Sequence, residues 1–273
     1  MIRSLLLGAA VFAIAAPAAA QTSPNWTGFY VGGRIGYVAT PLDTGTSVLF
    51  DRGPDGQFGD TITTATGANA FSPGFCNGDP RGPRPLDGCE TDDDGLDYAI
   101  HAGADYQFGS IVVGGLVEYG RSKGENSVTA FSTTPANYYL SRELRGTFGA
   151  RARVGLDIQG TMPYVTAGVV RAKVRSEFTT SNTANGFATR NDNENQSGYR
   201  VGGGFETRVG PVALGALYLF TNVKDDDFRV DVTRGTGPAT NPFVLGNPNG
   251  TQFRRSDDRF KTHSASLTAS YRF

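Results

Sequence analysis

The sequence predicts an all-β protein: an eight-stranded antiparallel up-and-down transmembrane β-barrel with short periplasmic turns and long extracellular loops. Three observations predict it. In the last segment, 261–273, Ala265, Leu267, Ala269, Tyr271 and Phe273 are apolar, while Ser264, Ser266, Thr268, Ser270 and Arg272 are polar. That two-residue period puts each set on its own face of a strand. An apolar stripe ending in two aromatics suits a closing strand between lipid and the membrane interface. The chain also opens with Met1-Ile2-Arg3, an apolar run over 5–16 and Ala18-Ala19-Ala20 before Gln21. This is the three-part layout of a secretory signal peptide. The run is too short to anchor the chain, because a spanning helix needs roughly 20 apolar residues. Finally, seven more segments alternate in the same way, and long and short connections alternate between them. The expected organisation is a signal peptide over 1–20 and one outer-membrane β-barrel domain over 21–273.

The strands follow in order. The first, 28–38, sets Phe29, Val31, Ile35 and Tyr37 against Tyr30, Gly32 and Arg34. The second, 96–108, sets Leu96, Tyr98, Ile100, Tyr106 and Phe108 against Asp97, His101 and Asp105. The third, 111–121, sets Ile111, Val113, Val117 and Tyr119 against Leu116 and Glu118. The fourth, 143–158, sets Leu144, Phe148, Val154 and Leu156 against Glu143, Arg145, Arg151 and Arg153. The fifth, 163–178, sets Tyr164, Thr166, Val170, Ala172 and Val174 against Arg171, Lys173, Arg175 and Glu177. The sixth sets Tyr199, Val201 and Phe205 against Arg200, Glu206 and Arg208, and the seventh runs from Val212 to Phe220. Long connections fall near 40–95, 123–140, 179–197 and 225–257, short ones at 109–110, 159–162 and 210–211. With both ends in the periplasm, every long connection lies outside the cell.

Hydrophobic residues make up only 38% of the chain, which fits a wall showing lipid at every second position. A net charge of −1 gives no support for nucleic acid as a partner. The charges gather on one face of the strands, and lipid is the costly place for them. They are therefore assigned to the lumen. A soluble barrel would reverse the faces and enclose Tyr271 and Phe273 beside many glycines, and it leaves the signal peptide unexplained.

Bare ions inside a narrow barrel are costly unless paired or hydrated. Counting from the turns predicts a mid-barrel network of Arg34, His101, Glu118, Arg151, Arg171 and Arg200, with Glu118 as its main acid and His101 paired to it. Eight strands leave an interior just wide enough for side chains, so the expected lumen is plugged.

Cys76 and Cys89 are the only cysteines and lie in one Gly/Pro/Asp-rich loop. An even pair in an exported chain is read as a disulfide. Two thiols without a neighbouring histidine do not complete a zinc site. No catalytic, cofactor or metal residue is assigned. His101 and His263 are the only histidines, and no Gly-x-Ser-x-Gly elbow appears. The acidic runs 92–94, 225–227 and 257–258 are read as solvated loops, with a divalent cation as the alternative.

Asn25-Trp26-Thr27-Gly28-Phe29-Tyr30-Val31-Gly32-Gly33, then Gly36-Tyr37, and the terminal Tyr271-Arg272-Phe273 resemble the small outer-membrane porin/opacity-type family of alphaproteobacteria. The resemblance implies an OmpA-like eight-stranded barrel acting as a surface antigen or envelope-stabilising protein. It also implies that Tyr271 and Phe273 form a signal for the barrel-assembly machinery, and that membrane lipid and lipopolysaccharide are the surroundings. The long first loop with Cys76 and Cys89 departs from the family's commonest pattern. The expected function is a structural or surface-interaction barrel. A small porin, or a loop receptor for a ligand such as haem, remains the alternative.

Overall fold

A computed structural model describes residues 25–41, 45–92, 94–247 and 249–273. The expected signal peptide, residues 1–20, lies outside them. The barrel strands are β1 Gly28–Ala39, β2 Gly95–Phe108, β3 Ile111–Ser122, β4 Ala136–Leu156, β5 Thr161–Thr180, β6 Asn193–Val209, β7 Val212–Lys224 and β8 Arg259–Arg272. Each pairs antiparallel with its neighbours in sequence. β8 returns to β1, from Tyr30 opposite Arg272 to Ala39 opposite His263, and closes the sheet. Closure satisfies every barrel strand on both sides, which is what lets a sheet stand in lipid. Gly109 and Gly210 open the two shortest turns at φ +61° and +63°; glycine enters this left-handed region without a Cβ penalty.

The outward face is apolar. Val31, Ile35, Ile100, Val117, Val165, Val169 and Leu267 are exposed along its middle. Phe29, Tyr106, Phe108, Phe205, Tyr271 and Phe273 ring the end that carries the short turns. Tyr37, Tyr98, Tyr119, Phe148, Tyr199 and Tyr218 ring the other. Two aromatic girdles flanking an aliphatic band are the signature of a lipid-facing barrel wall.

One strand reverses the expected faces. On β5 the inward side is Tyr164, Thr166, Val170, Ala172 and Val174, all buried, while Val165, Ala167 and Val169 face out. Arg171, Lys173, Arg175 and Glu177 therefore point outward, and Arg171 is not a lumen residue. Both faces of the lower half of β5 are largely apolar, so alternation alone does not choose between them. Choosing by charge fails because the strand outruns the membrane. Its 20 residues extend on the order of 65 Å, against an apolar band about 25 Å tall. On β4 the pairing jumps from Gly146 opposite Lys173 to Leu144 opposite Val174. The extra residue, Arg145, is a bulge that swaps the faces, leaving Leu144 buried inside and Arg145 exposed outside.

The extracellular connections are not open loops. Gly186–Arg190, Arg229–Thr233, Thr251–Arg255 and Val48–Arg52 form a second, four-stranded sheet in that order. Glu125–Ser132 pairs with the upper end of β4, and Gly74–Cys76 adds to its edge. Phe50, Phe71, Tyr138, Phe243 and Phe253 are buried together, with Phe178 and Phe187 packed against them. Rings such as Phe71 and Tyr138 meet edge-on at 5.2 Å. These segments form a cap with its own aromatic core. Cys76 and Cys89 are joined in a disulfide, with Cα atoms 6.3 Å apart, on the flank of this cap.

Candidate functional site

The lumen is filled in layers, beginning at the periplasmic end. Trp26, just before β1, turns in and is fully buried. Its backbone N–H donates to Gln107 Oε1 at 2.7 Å and its indole N–H to Asp157 Oδ1 at 3.1 Å. Above it Arg153 grips Asp105 through two bonds, of 2.9 and 2.5 Å, and reaches Glu206 Oε1 at 2.9 Å. Arg272 donates to Asp105 Oδ2 at 2.6 Å and to the Trp26 carbonyl at 2.5 Å. Both guanidiniums stack over the Tyr30 ring, at 4.5 and 4.8 Å. Two cations face two carboxylates here, and the forked Arg153–Asp105 pair has the geometry of a strong charge-assisted contact.

Glu118 centres the next layer. Arg151 Nη2 donates to its Oε2 at 2.9 Å and Arg34 Nε to the same oxygen at 3.4 Å. Arg200 bonds the other oxygen, Oε1, and Arg34 also bonds Asp97. Arg151 and Arg200 are further tied to Thr166 and Thr221, at 3.2 and 3.1 Å. All five charged groups are buried, Glu118 to 2% exposure. His101 lies directly opposite Glu118 in the β2–β3 ladder but does not pair with it. Its ring passes Gly32 and bonds Ser270 Oγ at 2.9 Å. A Cβ on Gly32 would stand 2.8 Å from His101 Nε2, so the missing side chain is what lets the imidazole cross β1.

An apolar layer follows: Leu144, Val170, Ala172, Val174, Val223 and Phe260. Next comes a third charge layer, at the mouth where barrel meets cap. Arg142, 1% exposed, bonds Asp225 Oδ2 and Asn126 Oδ1 at 3.1 and 3.0 Å, and also Asp257. Arg255 donates to Asp257 Oδ1 at 3.0 Å and to Asn126 Oδ1 at 2.5 Å. Burial works against the charged form of Asp257, but Arg142 and Arg255 outweigh it and hold the carboxyl below its usual range. Burial, reinforced by the like charge of Arg142, pushes Arg255 down to about 10. The aromatic core of the cap covers this layer.

Sequence reasoning missed Arg142 and Arg255, and it read Asp225 and Asp257 as solvated. The available signal was positional: two acidic runs flank the ends of β7 and β8, neighbours in the sheet, so their carboxylates converge on one point above the barrel. Among the described residues, no three His, Cys, Asp or Glu side chains gather as a metal site. His263 lies on the barrel wall, with its Nδ1 2.5 Å from Tyr218 Oη.

A closed eight-stranded wall with a lipid-facing belt and an ion-paired interior is now in view. The family model described as "Outer membrane protein beta-barrel domain" matches residues 6–273. The chain belongs to this family. Its place is accordingly the bacterial outer membrane, with lipid as its surroundings. Among solved structures, the family member is similar to the outer membrane protein OprG from Pseudomonas aeruginosa. The identity is 11% over 91% of this chain and 98% of that one, with a TM-score of 0.44. It is also similar to Neisserial surface protein A, at 14% identity over 90% and 98% of the two chains and a TM-score of 0.37. Ail of Yersinia pestis, solved with the heparin analogue sucrose octasulfate, gives 11% identity over 90% and 99% and a TM-score of 0.34. No curated protein matches the chain.

Proposed function

We propose that this outer-membrane barrel is a non-conducting, non-catalytic element of the cell envelope that holds a rigid folded cap at the cell surface. The observation that carries the reading is the convergence of Arg34, Arg151 and Arg200 on the buried Glu118. A conducting pore needs a continuous wet path. Here charge layers and an apolar layer alternate up a lumen of the size that side chains fill. Non-catalysis is argued from chemistry: His101 is buried in the lumen and bonded to Ser270, and His263 lies on the barrel wall bonded to Tyr218. In the same proposal residues 1–20 are removed on export, and Tyr271 with Phe273, ring centroids 5.2 Å apart, serves the barrel-assembly machinery. The opacity-type likeness belongs to this proposal as well.

Planar-bilayer recording of the purified, refolded protein tests it. The expected trace is silent, and regular single-channel steps overturn the closed-lumen reading in favour of a small porin. Titration with haem is expected to leave its absorbance spectrum unchanged, and a saturable spectral shift favours a receptor instead.

A further inference from the structure

The outward charges on β3, β4 and β5 are left unused by the closed lumen. Arg121, Arg145, Arg171, Lys173 and Arg175 are all exposed and lie on three adjacent strands. Their height is fixed by the register. Arg121 stands opposite Tyr98, and Arg171 opposite Phe148. Both aromatics belong to the outer girdle, so the cations begin where the hydrocarbon ends. Arg121, Arg145, Lys173 and Arg175 line a shallow groove of about 370 Å³ beside Tyr119. Its floor is Gly146, where an added Cβ would meet only Tyr119 Oη, at 3.8 Å. Two carboxylates enter the patch: Glu143 pairs with Arg145 at 3.0 Å and Glu177 with Arg175 at 2.7 Å. None of the ion pairs among the described residues involves Arg121, Arg171 or Lys173. On the β6 side the outward neighbours of Arg171, Lys173 and Arg175 are Ser197, Asn195 and Asn193, which are neutral and polar.

We propose that this groove, with Arg171 at its membrane edge beside Phe148, binds the phosphorylated headgroup of an outer-leaflet lipid. An excess of cations immediately above an aromatic girdle meets the one layer of the membrane that is dense in phosphate. Arginine forks suit phosphate oxygens, and lysine adds a point charge. The acyl chains of the same lipid would lie along the exposed aliphatic wall of β3–β5, at Val117, Val165 and Val169. The inference rests on the outer-membrane placement of the barrel and is independent of whether the lumen conducts.

Native mass spectrometry of the full-length protein in detergent tests it, with lipid A carrying both phosphates as the probe and the same lipid stripped of phosphate as the comparison. Wild-type protein is expected to retain the phosphorylated form preferentially. In a variant carrying Arg121→Gln, Arg171→Gln and Lys173→Gln, three exposed cation–phosphate contacts are lost, which is expected to lower affinity about tenfold. All three side chains point away from the lumen, so heat-modifiable gel migration should report a folded barrel. A second variant, Lys224→Gln with Lys261→Gln, removes exposed cations from β7 and β8 and should bind as wild type does. Equal retention of the phosphate-free lipid overturns the proposal, as does wild-type binding by the triple variant. An equal loss in both variants also overturns it, because the binding is then a property of surface charge in general. Should the site fail while bilayer traces stay silent, the closed-barrel reading stands without it.

Discussion

Replacing Glu118 with alanine removes the carboxylate on which Arg34, Arg151 and Arg200 converge. The three cations are not equally affected. Arg34 keeps Asp97 as its partner. Arg151 and Arg200 retain only the hydroxyls of Thr166 and Thr221 and become buried charges without a carboxylate. Breaking a buried pair from one side costs about 3–5 kcal/mol, because the remaining charge has lost both water and counter-ion. Glu118→Ala is therefore expected to destabilise the barrel by that amount, read as a lower urea midpoint for the micelle-refolded protein and as earlier loss of the compact band on heating. Glu118→Gln, which keeps the volume and one acceptor oxygen, should fall between the two. The decisive companion is Glu118→Met with Arg151→Met and Arg200→Met. Removing Glu118 together with the two cations that have no other carboxylate takes away the orphaned charges, while Arg34 keeps Asp97; such replacements are often neutral or stabilising, so this variant should recover most of the loss. If Glu118→Ala unfolds within about 1 kcal/mol of wild type, the size of an ordinary substitution, the network is not what holds the lumen together.

Three further outcomes follow from the geometry. Arg142 and Arg255 hold the folded-state pKa of Asp257 below the usual aspartate value of about 3.9. Its contribution is fully present above that value and is lost as the pH falls through the lower, folded one. Limited proteolysis of the cap should thus be constant from pH 7 to about 5 and rise below about 4; a midpoint near pH 6 contradicts Asp257 as the group responsible. Reducing the Cys76–Cys89 bridge, which spans a sequence separation of 13, removes about 3 kcal/mol of loop closure in the entropic model. Cleavage within 77–88 should increase while heat-modifiable migration of the barrel stays unchanged, and loss of the compact band on reduction would falsify a purely local role. Gly32→Ala places a Cβ 2.3 Å from the Ala269 carbonyl oxygen and 2.8 Å from His101 Nε2. Overpacking of this kind costs about 1–3 kcal/mol, and a wild-type urea midpoint for this variant would refute the close crossing of His101 over β1.

The eight strands were legible because lipid imposes a period of two on every residue it touches, and the error on β5 shows where that constraint ends. Val165, Ala167 and Val169 obey it. Arg171, two residues further on, stands opposite Phe148 of the girdle and already belongs to the interface, where charge is welcome on the outer face. A rule that sends every charge inward misplaces such residues. The cap was hidden for a different reason. Val48 pairs with Arg255, and Gly186 with Thr233, in five-residue strands. Strands so short carry little periodic signal, and pairings between chain segments so far apart leave none. Arg255 was invisible with the cap strand that carries it, and Arg142 went unread because the convergence of Asp225 and Asp257 at the paired ends of β7 and β8 was not drawn from the register. The single Cys76–Cys89 pair, by contrast, needed nothing beyond a count.

How the cap is joined to the barrel bears on what a closed barrel does. β4 and β5 run without a break from the periplasmic turn into the cap, 21 and 20 residues long. Arg142, near the top of β4, bonds Asp225 just after β7 and Asp257 just before β8. One side chain thereby ties the longest strand of the wall to the ends of two others, and Arg255 fastens the cap sheet to the same carboxylate through Asp257. A cap tethered only by loops would sample many orientations above the membrane. This one is continuous with two strands and cross-linked by buried ions, so under the proposed surface role a partner would meet a preorganised surface and spend little binding energy on ordering it. The ion-paired layers beneath also tie strands across the barrel, as Arg200 on β6 does with Glu118 on β3. Arg142→Ala should accordingly loosen the cap without opening the lumen, because the Glu118 layer and the Arg153–Asp105 layer lie below it. The measurement is amide hydrogen exchange, with faster exchange expected in 229–233 and 251–255 and unchanged protection in β1–β3. Uniform acceleration through the barrel would mean that the layers act as one cooperative unit, and the division of labour argued here would fail.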